Sequence, residues 1–511
     1  MLINQLYDTT LQYSNTVTKA NRKKIGQFFT PPSVADYMGQ LMQTNQKEIR
    51  VLDAGAGTGM LGGSICQHAF NNKDIEAIHV DFYDTDENII PFLNQNIELM
   101  RQDAEKKGKK FTYNIIQENF ILYNETIWQD NFCIEEKDKY DVIIGNPPYK
   151  KIGKSVEEAV VMSSIVYGQP NTYFLFMAMS TALLKEQGEM IYIVPRSFTS
   201  GLYFKKFREY FLNTVKLTHL HLFHSRSDVF ENDKILQEAI ILRAVKTNET
   251  TDSIHISSSE NMFIENSFVH QVPYNTVVDM NSENFFMLIP TSIKEVELLS
   301  LVHSWENNLI NLGFKLKTGP VVDFRSLDLI QENEEENTVP LLWANHFKNN
   351  KILFPLSTSK NPQFIVDTPE SKSVLLPNKN YLLIKRFTSK EEKRRVQCAL
   401  YLKDEFLIDK IGIENHINYV TKLKGEMTKE ELYGLYVLFN STYIDSYYRI
   451  LNGSTQVNAT EVNSIPLPPL NTIKILGKSL IEMEIDFIST EICDVIIGEI
   501  FINNRLEKSK K

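Results

Sequence analysis

Val51-Leu-Asp-Ala-Gly-Ala-Gly-Thr-Gly59 decides the fold. An apolar run beginning at Arg50 ends in an acid, glycines follow at alternate positions, and Met60 opens a helical pattern. Such a turn lets backbone approach a ligand closely and aims helix N-terminal amides at it. Outward from this turn, short β-branched runs alternate with helical periodicity as far as about Val245. The expected strands are Arg50 to Asp53, Ala77 to Tyr83, Tyr113 to Glu118, Asp141 to Ile144, Glu189 to Val194, Leu217 to Phe223 and Glu238 to Ala244. Helices are expected between them, among them Glu87 to Gln102, Thr172 to Leu184 and Lys205 to Leu212. The pattern predicts an α/β domain, a doubly wound, Rossmann-like parallel sheet covered on both faces.

Gly57, Gly59 and Gly62 also satisfy Gly-x-Gly-x-x-Gly, the dinucleotide fingerprint, a weak match when taken alone. Asp53 separates the readings, since a carboxylate at the strand end repels a pyrophosphate but attracts the ammonium of an amino acid. The expected ligand is therefore an amino-acid-bearing nucleoside, S-adenosylmethionine, rather than NAD. Asp84 closes the second strand, where an acid can accept both ribose hydroxyls of a bound adenosine. Asp86 reads equally well as a helix cap. Asn119 and Phe120 follow the third strand and are candidates to bind and stack the adenine, although Phe120 reads equally as core.

The chemistry is expected at Asp141-Val-Ile-Ile-Gly-Asn-Pro-Pro-Tyr149, the end of the fourth strand. Asn146 offers a side-chain carbonyl. Pro147 has no N–H and presents a backbone carbonyl, held stiff by Pro148. Two acceptors converging on one planar amino group would draw its nitrogen toward tetrahedral geometry and free its lone pair. Tyr149 would stack on a base rotated out of a duplex.

At 511 residues the chain exceeds one usual core, so two domains are expected, residues 1–285 and 286–511. Between Lys246 and Glu283 the pattern loosens into Thr, Ser, Asn and Asp. Beyond it a mixed α+β module is expected, with a helix near Ile293 to Glu306, strand-like pieces at Gly313 to Phe324 and Tyr381 to Phe387, a helix near Lys429 to Phe439, and one amphipathic helix over Ile473 to Arg505. Four scattered cysteines argue against a zinc ribbon or disulfide framework. The apolar stretch Tyr173 to Leu184 is too short to span a membrane, and the N-terminus lacks a signal-peptide pattern; the chain is expected to be cytoplasmic. The net charge of −10 leaves any phosphate binding to local clusters, such as Lys19, Arg22, Lys23 and Lys24, or Lys385, Arg386, Lys390, Lys393, Arg394 and Arg395. His219-x-His221-x-x-His224 resembles half of a metal site, but His219 and His221 share one face of a strand, and neutral, hydrogen-bonded histidines are expected with no metal.

These motifs together resemble the DNA N6-adenine methyltransferases, in the gamma group with the target-recognition domain last, of the BsuBI/PstI restriction-modification kind. Gly26-Gln-Phe-Phe-Thr-Pro-Pro32 is similar to the family segment ahead of the glycine loop, implying that Thr30 and Pro31 contact the methionine part of S-adenosylmethionine. The resemblance further implies Asp53, Ala54, Gly55, Gly57 and Gly59 as the cofactor loop, Asp84 at the ribose, and Asn119 with Phe120 at the adenine. Many relatives carry an aspartate where this chain has Asn119. Gly188 to Arg208 resembles the strand and loop completing the pocket. Ser227-Asp-Val-Phe230 resembles the segment whose aromatic residue packs on the flipped base opposite Tyr149, which makes Phe230 the second stacking candidate.

In the second half, Lys317 to Phe324 and Asn452 to Thr460 resemble pieces of recognition domains, with Lys317, Arg325, Arg386, Arg449, Asn452 and Gln456 as side chains able to read phosphates or base edges. The implied activity is methyl transfer to adenine N6 in double-stranded DNA, by a monomer, with any cognate endonuclease a separate protein. A protein-glutamine or RNA N-methyltransferase, and a catalytically silent DNA-binding anti-restriction protein, are the alternatives.

Overall fold

The computed structural model describes the chain apart from residues 19–25, 27, 130–134, 225–237, 262–263, 265–267, 281, 390, 486 and 509–511. Phe230, the basic cluster at Lys19 to Lys24, Lys390 and Cys133 thus lie outside the described residues. Two compact units form, Met1–Ile293 and Lys294–Lys511.

The first unit is a nine-stranded sheet built from β1 (Glu48–Ala54), β2 (Ala77–Tyr83), β3 (Lys110–Ile116), β4 (Tyr140–Gly145), β5 (Leu184–Pro195), β6 (Lys216–Phe223), β7 (Ala239–Val245), β8 (Ser253–Ser259) and β9 (Phe268–Pro273). Their order is β3-β2-β1-β4-β5-β7-β6-β8-β9. Every residue of β4 is buried, as expected of a central strand with both faces covered. Around the sheet lie α1 (Leu2–Thr16), α2 (Pro32–Gln40), α3 (Met60–Asn71), α4 (Ile90–Lys106), α5 (Thr172–Leu183) and α6 (Lys205–Thr214).

The sheet is not wholly parallel. β1 to β5 run together, but β7 enters between β5 and β6 antiparallel to both. Adjacent antiparallel strands need no crossover helix, which is why β7 carries no helical signature ahead of it. Part of the polar tract expected as loop also joins the sheet, β8 pairing parallel with β6 and β9 antiparallel with β8. The domain boundary falls eight residues later than expected because Met287, Leu288 and Ile289 are buried and Met287 N donates to Thr199 O at 3.0 Å.

The second unit holds a six-stranded sheet with β10 (Phe314–Thr318), β11 (Tyr381–Lys385), β12 (Cys398–Tyr401) and β13 (Ile417–Lys422) in the order β10-β13-β11-β12, continued by Lys351–Ile352 and Phe347–Lys348. It also holds a five-stranded sheet, the expected helix at Ile293–His303, and the helices α7 (Lys429–Phe439), α8 (Thr442–Leu451), α9 (Leu470–Glu482) and α10 (Thr490–Lys508). The single helix expected over Ile473 to Arg505 is two. Glu484 adopts the left-handed φ of 47° after α9, and Ser489 Oγ accepts from Ile492 N to start α10. Cys66, Cys398 and Cys493 are buried free thiols. No helix among the described residues is long and apolar enough to cross a membrane.

Candidate active site

The chain moves outward from β1 through β2 to β3 and then returns to place β4 on the other side of β1. This reversal opens a crevice between the carboxyl ends of β1 and β4, where ligands of doubly wound sheets gather. A cavity of about 190 Å³ lies there. On one side runs the glycine loop. Gly55, Gly57 and Gly59 have φ of 78°, 57° and 80°, a left-handed backbone that side-chain-bearing residues rarely adopt. Gly57 N donates to Asp84 Oδ2 at 2.8 Å and Asp86 N to Asp84 Oδ1 at 2.9 Å, so the acid at the end of β2 is fixed on the cavity wall by two backbone amides. Burial nonetheless pushes the Asp84 carboxyl above its ordinary pKa.

On the other side, β4 delivers Asn146. Its Nδ2 donates to Phe28 O at 3.0 Å and to Thr30 Oγ1 at 3.1 Å. That orientation leaves Oδ1 buried with no hydrogen-bond partner. Among the described residues no donor reaches the Pro147 carbonyl either. The next carbonyl, that of Pro148, accepts from the Thr172 hydroxyl at the start of α5. Tyr149 packs its ring 5.6 Å from Phe28 and donates its hydroxyl to Ile193 O on β5 at 3.1 Å. Burial drives this phenol well above its ordinary pKa.

Thr30, Gly55, Gly57, Asp84, Phe120, Asn146 and Pro148 all line the cavity. Five other expected cofactor-binding residues do not. Asp53 is fully buried beside α3, where Oδ2 accepts from Gly62 N at 2.7 Å and Oδ1 has no hydrogen-bond partner. Burial there raises its pKa to about 7, with the nearby Asp84 adding to the rise and the Gly62 amide opposing it. Asn119 caps the short helix Phe120–Tyr123 by accepting from Ile121 N and Leu122 N, while its Nδ2 donates to Glu158 Oε1 at 2.8 Å. Pro31 is the N-cap of α2, Gly59 that of α3, and Ala54 is buried in β1. Pro147 and Tyr149 sit just outside the cavity wall, beside Asn146.

Tyr83 and Phe176 line the wall without a chemical signal in the sequence, whereas Asp86, which reads equally well as a helix cap, and Phe29, inside the segment ahead of the glycine loop, were not singled out as ligand-binding residues. Asp86 Oδ2 accepts from the Tyr13 hydroxyl at 2.5 Å, which ties α1 to the rim. The aromatic pair before Thr30 was the one available hint to Phe28 and Phe29.

His219 and His221 are held neutral away from this cavity. His221 Nδ1 and Nε2 lie 2.8 Å and 3.0 Å from Ser257 Oγ and Ser259 Oγ, and His219 Nε2 lies 2.7 Å from the Tyr37 hydroxyl. Burial, then the proximity of His255 and Arg243, lowers the pKa of His219 to about 4, and burial, then the proximity of His219 and His224, lowers that of His221 to about 3.

Residues 44–230 match the family described as Eco57I restriction-modification methylase. Over 492 residues the chain is 32% identical to the type II methyltransferase M.BsuBI of Bacillus subtilis, covering 95% of both chains. M.PstI of Providencia stuartii is 32% identical over 468 residues, covering 91% of each. Among solved structures, the type IIL restriction-modification enzyme MmeI, determined in complex with DNA, aligns with a TM-score of 0.52 at 11% identity, over 96% of this chain and 70% of that one, a likeness of fold. The glycine loop and the Asn-Pro-Pro-Tyr turn meet within the matched segment, and with two relatives alike over nearly their whole length the chain belongs to the type II restriction-modification methyltransferases.

Proposed function

We propose that the chain transfers a methyl group from S-adenosylmethionine to the exocyclic N6 of an adenine turned out of duplex DNA, as the modification half of a restriction-modification system. One observation carries the reading. Asn146 keeps a buried amide oxygen without a partner on the cavity wall, while its amide nitrogen is pinned by Phe28 O and Thr30 Oγ1. A buried acceptor left unpaired costs stability, and unlike the equally unpartnered Asp53 Oδ1 this one belongs to a residue of the cavity wall, which supports a donor that arrives with the substrate.

An aromatic NH₂ group is a poor nucleophile because its lone pair is delocalised into the ring. Asn146 Oδ1 and the Pro147 carbonyl accept its two protons and draw the nitrogen toward tetrahedral geometry. The lone pair becomes available, and the positive charge developing on nitrogen meets dipoles already in place. Amide oxygens are weak bases and orient the protons without removing them. The surplus proton turns acidic once the N–C bond has formed and leaves to water. Tyr149 offers a ring face to the extruded base, offsetting part of the few kcal/mol lost on unstacking.

The cavity suits the cofactor. Asp84 has lone pairs left for ribose hydroxyls, Phe120 and Phe176, packed against each other at 5.0 Å, give the wall aromatic surface, and Gly55 and Gly57 keep side chains out of the loop. Bound there, S-adenosylmethionine supplies an electrophilic methyl group whose bond to sulfur breaks as the bond to nitrogen forms, leaving a neutral thioether.

The test is incorporation of tritiated methyl by the purified chain offered duplex DNA, RNA and protein, followed by nucleoside mass spectrometry. N6-methyladenine in duplex DNA is expected. Label confined to protein or RNA would remove the reading, and N4-methylcytosine would keep the acceptor chemistry but overturn the adenine assignment.

A further inference from the structure

The second unit sorts the polar side chains that its sequence puts forward. Arg449 is engaged by the fold, donating to Asp445 Oδ2 and to the carbonyls of Glu392 and Lys393. Asn452 is buried and donates to Glu461. Arg394 and Arg395 are likewise internal, Arg394 donating to the carbonyls of Phe439 and Ser441 and Arg395 to Thr388 Oγ1. The basic run therefore does not form a phosphate-facing patch as a whole. Of the remainder, Lys317, Arg325, Arg386 and Gln456 belong to segments that meet at one end of the six-stranded sheet, where Arg386 Nη1 donates to Asn415 O at 3.1 Å and fixes the guanidinium against the backbone.

That end is defined by register. β10 closes at Thr318 opposite Asn418, and β11 closes at Lys385 opposite Ile417. The segments beyond are laced by backbone hydrogen bonds: Gly319 N to Ile417 O at 2.8 Å, Asn415 N to Val321 O at 2.9 Å, Arg386 N to His416 O at 2.8 Å, Thr388 N to Thr455 O at 3.1 Å and Val457 N to Arg386 O at 2.7 Å. Gly319 is required for this closure, because a Cβ there would meet Glu414 O at 2.3 Å. The result is a rigid rim.

Two large aromatic side chains stand out on it. Phe387 is 41% exposed, with the His416 imidazole 4.9 Å and the Arg386 guanidinium 5.4 Å from its ring. Phe324, three residues beyond Val321, is 67% exposed with the Arg325 guanidinium 5.4 Å away. The nearby acids are engaged: Glu414 is buried and bonded to His416, and Asp323 Oδ1 accepts from Phe324 N. Exposed aromatic rings paired with guanidinium groups on a rigid backbone, beside a Gln, are the side chains that wedge between base steps, neutralise phosphates and bond base edges.

We propose that this rim is the surface through which the chain reads duplex DNA, with Phe387 stacking on a base step, Arg325 and Arg386 on phosphates or base edges, and Gln456 contributing to sequence choice. The inference rests on the proposed function for its substrate.

The test uses the full chain and the variants Phe387→Ala, Arg325→Ala and Gln456→Ala. Leu407→Ala serves as control; Leu407 is fully exposed in the segment following β12, at the other end of β11. Plasmid DNA from an adenine-methylation-deficient host expressing each chain is sequenced for N6-methyladenine. Purified chains are assayed on a plasmid duplex fragment by methyl transfer and, with a fluorescein label, by anisotropy. Phe387→Ala and Arg325→Ala are expected to weaken duplex binding and lower kcat/KM by about tenfold. Gln456→Ala should relax the preference at one base pair of the mapped site. Leu407→Ala should match the wild type, and S-adenosylmethionine affinity and melting temperature should hold in all four. Unchanged duplex binding in Phe387→Ala and Arg325→Ala overturns the proposal, as does an equal loss in Leu407→Ala. A wild type that binds the duplex through Phe387 but methylates nothing would sink the catalytic reading and leave the rim standing.

Discussion

Asn146 has two amide protons and one amide oxygen to place, and the fold determines which face the ligand. Phe28 O and Thr30 Oγ1 take the nitrogen, so rotation of the amide by half a turn would set two acceptors against an oxygen. Asn146→Ala is expected to abolish methyl transfer while calorimetry still finds S-adenosylmethionine binding within a few-fold of the wild type; lost cofactor binding would assign Asn146 to the cofactor instead. Thr30 acts one step back, as a positioning residue. Thr30→Val removes one of the two acceptors on Asn146 Nδ2, worth about 1 kcal/mol, and should lower kcat about fivefold with KM for the duplex unchanged. Thr30→Ser keeps an Oγ and should restore most of the rate. Equal kcat in the wild type and Thr30→Val would show that Phe28 O alone holds the amide.

At the scale of elements, the strands made of β-branched runs were legible; Ala77 to Tyr83 was read with its observed ends. β8 was not. Ser-Ile-His-Ile-Ser-Ser-Ser259 reads as polar loop, and its burial makes sense once His221 and Ser257, 36 residues apart, are seen to be hydrogen-bonded across β6 and β8. The candidate site divides in the same way. Motifs disclosed which residue types cluster, but Asp53 and Asn119 satisfy backbone amides of their own segments, and a linear pattern cannot distinguish an acceptor turned inward from one turned to a ligand.

The β6–β8 pair also yields a pH prediction. His219 and His221 titrate near 6.5 when unfolded but at about 4 and about 3 in the fold. Their folded pKa values are depressed, so the unfolded chain binds more protons between those limits. The stability they contribute is complete above pH 6.5 and is lost as pH falls toward about 4. Asp53 has the opposite sign, its contribution falling away as pH rises from 3.8 to about 7, so the comparison must be with a variant. Melting curves of the wild type should fall more steeply between pH 6.5 and about 4 than those of a His219→Gln/His221→Gln double variant. Parallel curves would mean that the histidines are not held neutral.

For the whole molecule, the question is what each unit does alone. Every wall residue of the cavity lies between Gly26 and Phe176, inside a unit that ends at Ile293 and carries its own sheet and core. The second unit has two further sheets and no part in that wall. With a net charge of −10, the chain gains nothing from nonspecific attraction to a polyanion, so engagement of the duplex depends on local surfaces that the first unit alone need not supply. A fragment of residues 1–293 is therefore expected to bind S-adenosylmethionine in calorimetry with the affinity of the full chain, yet to methylate duplex DNA at least a hundredfold more slowly. Cofactor binding serves as the check that the fragment has folded. Duplex methylation at the full chain's rate would move target selection into the first unit and leave the second without a role in catalysis.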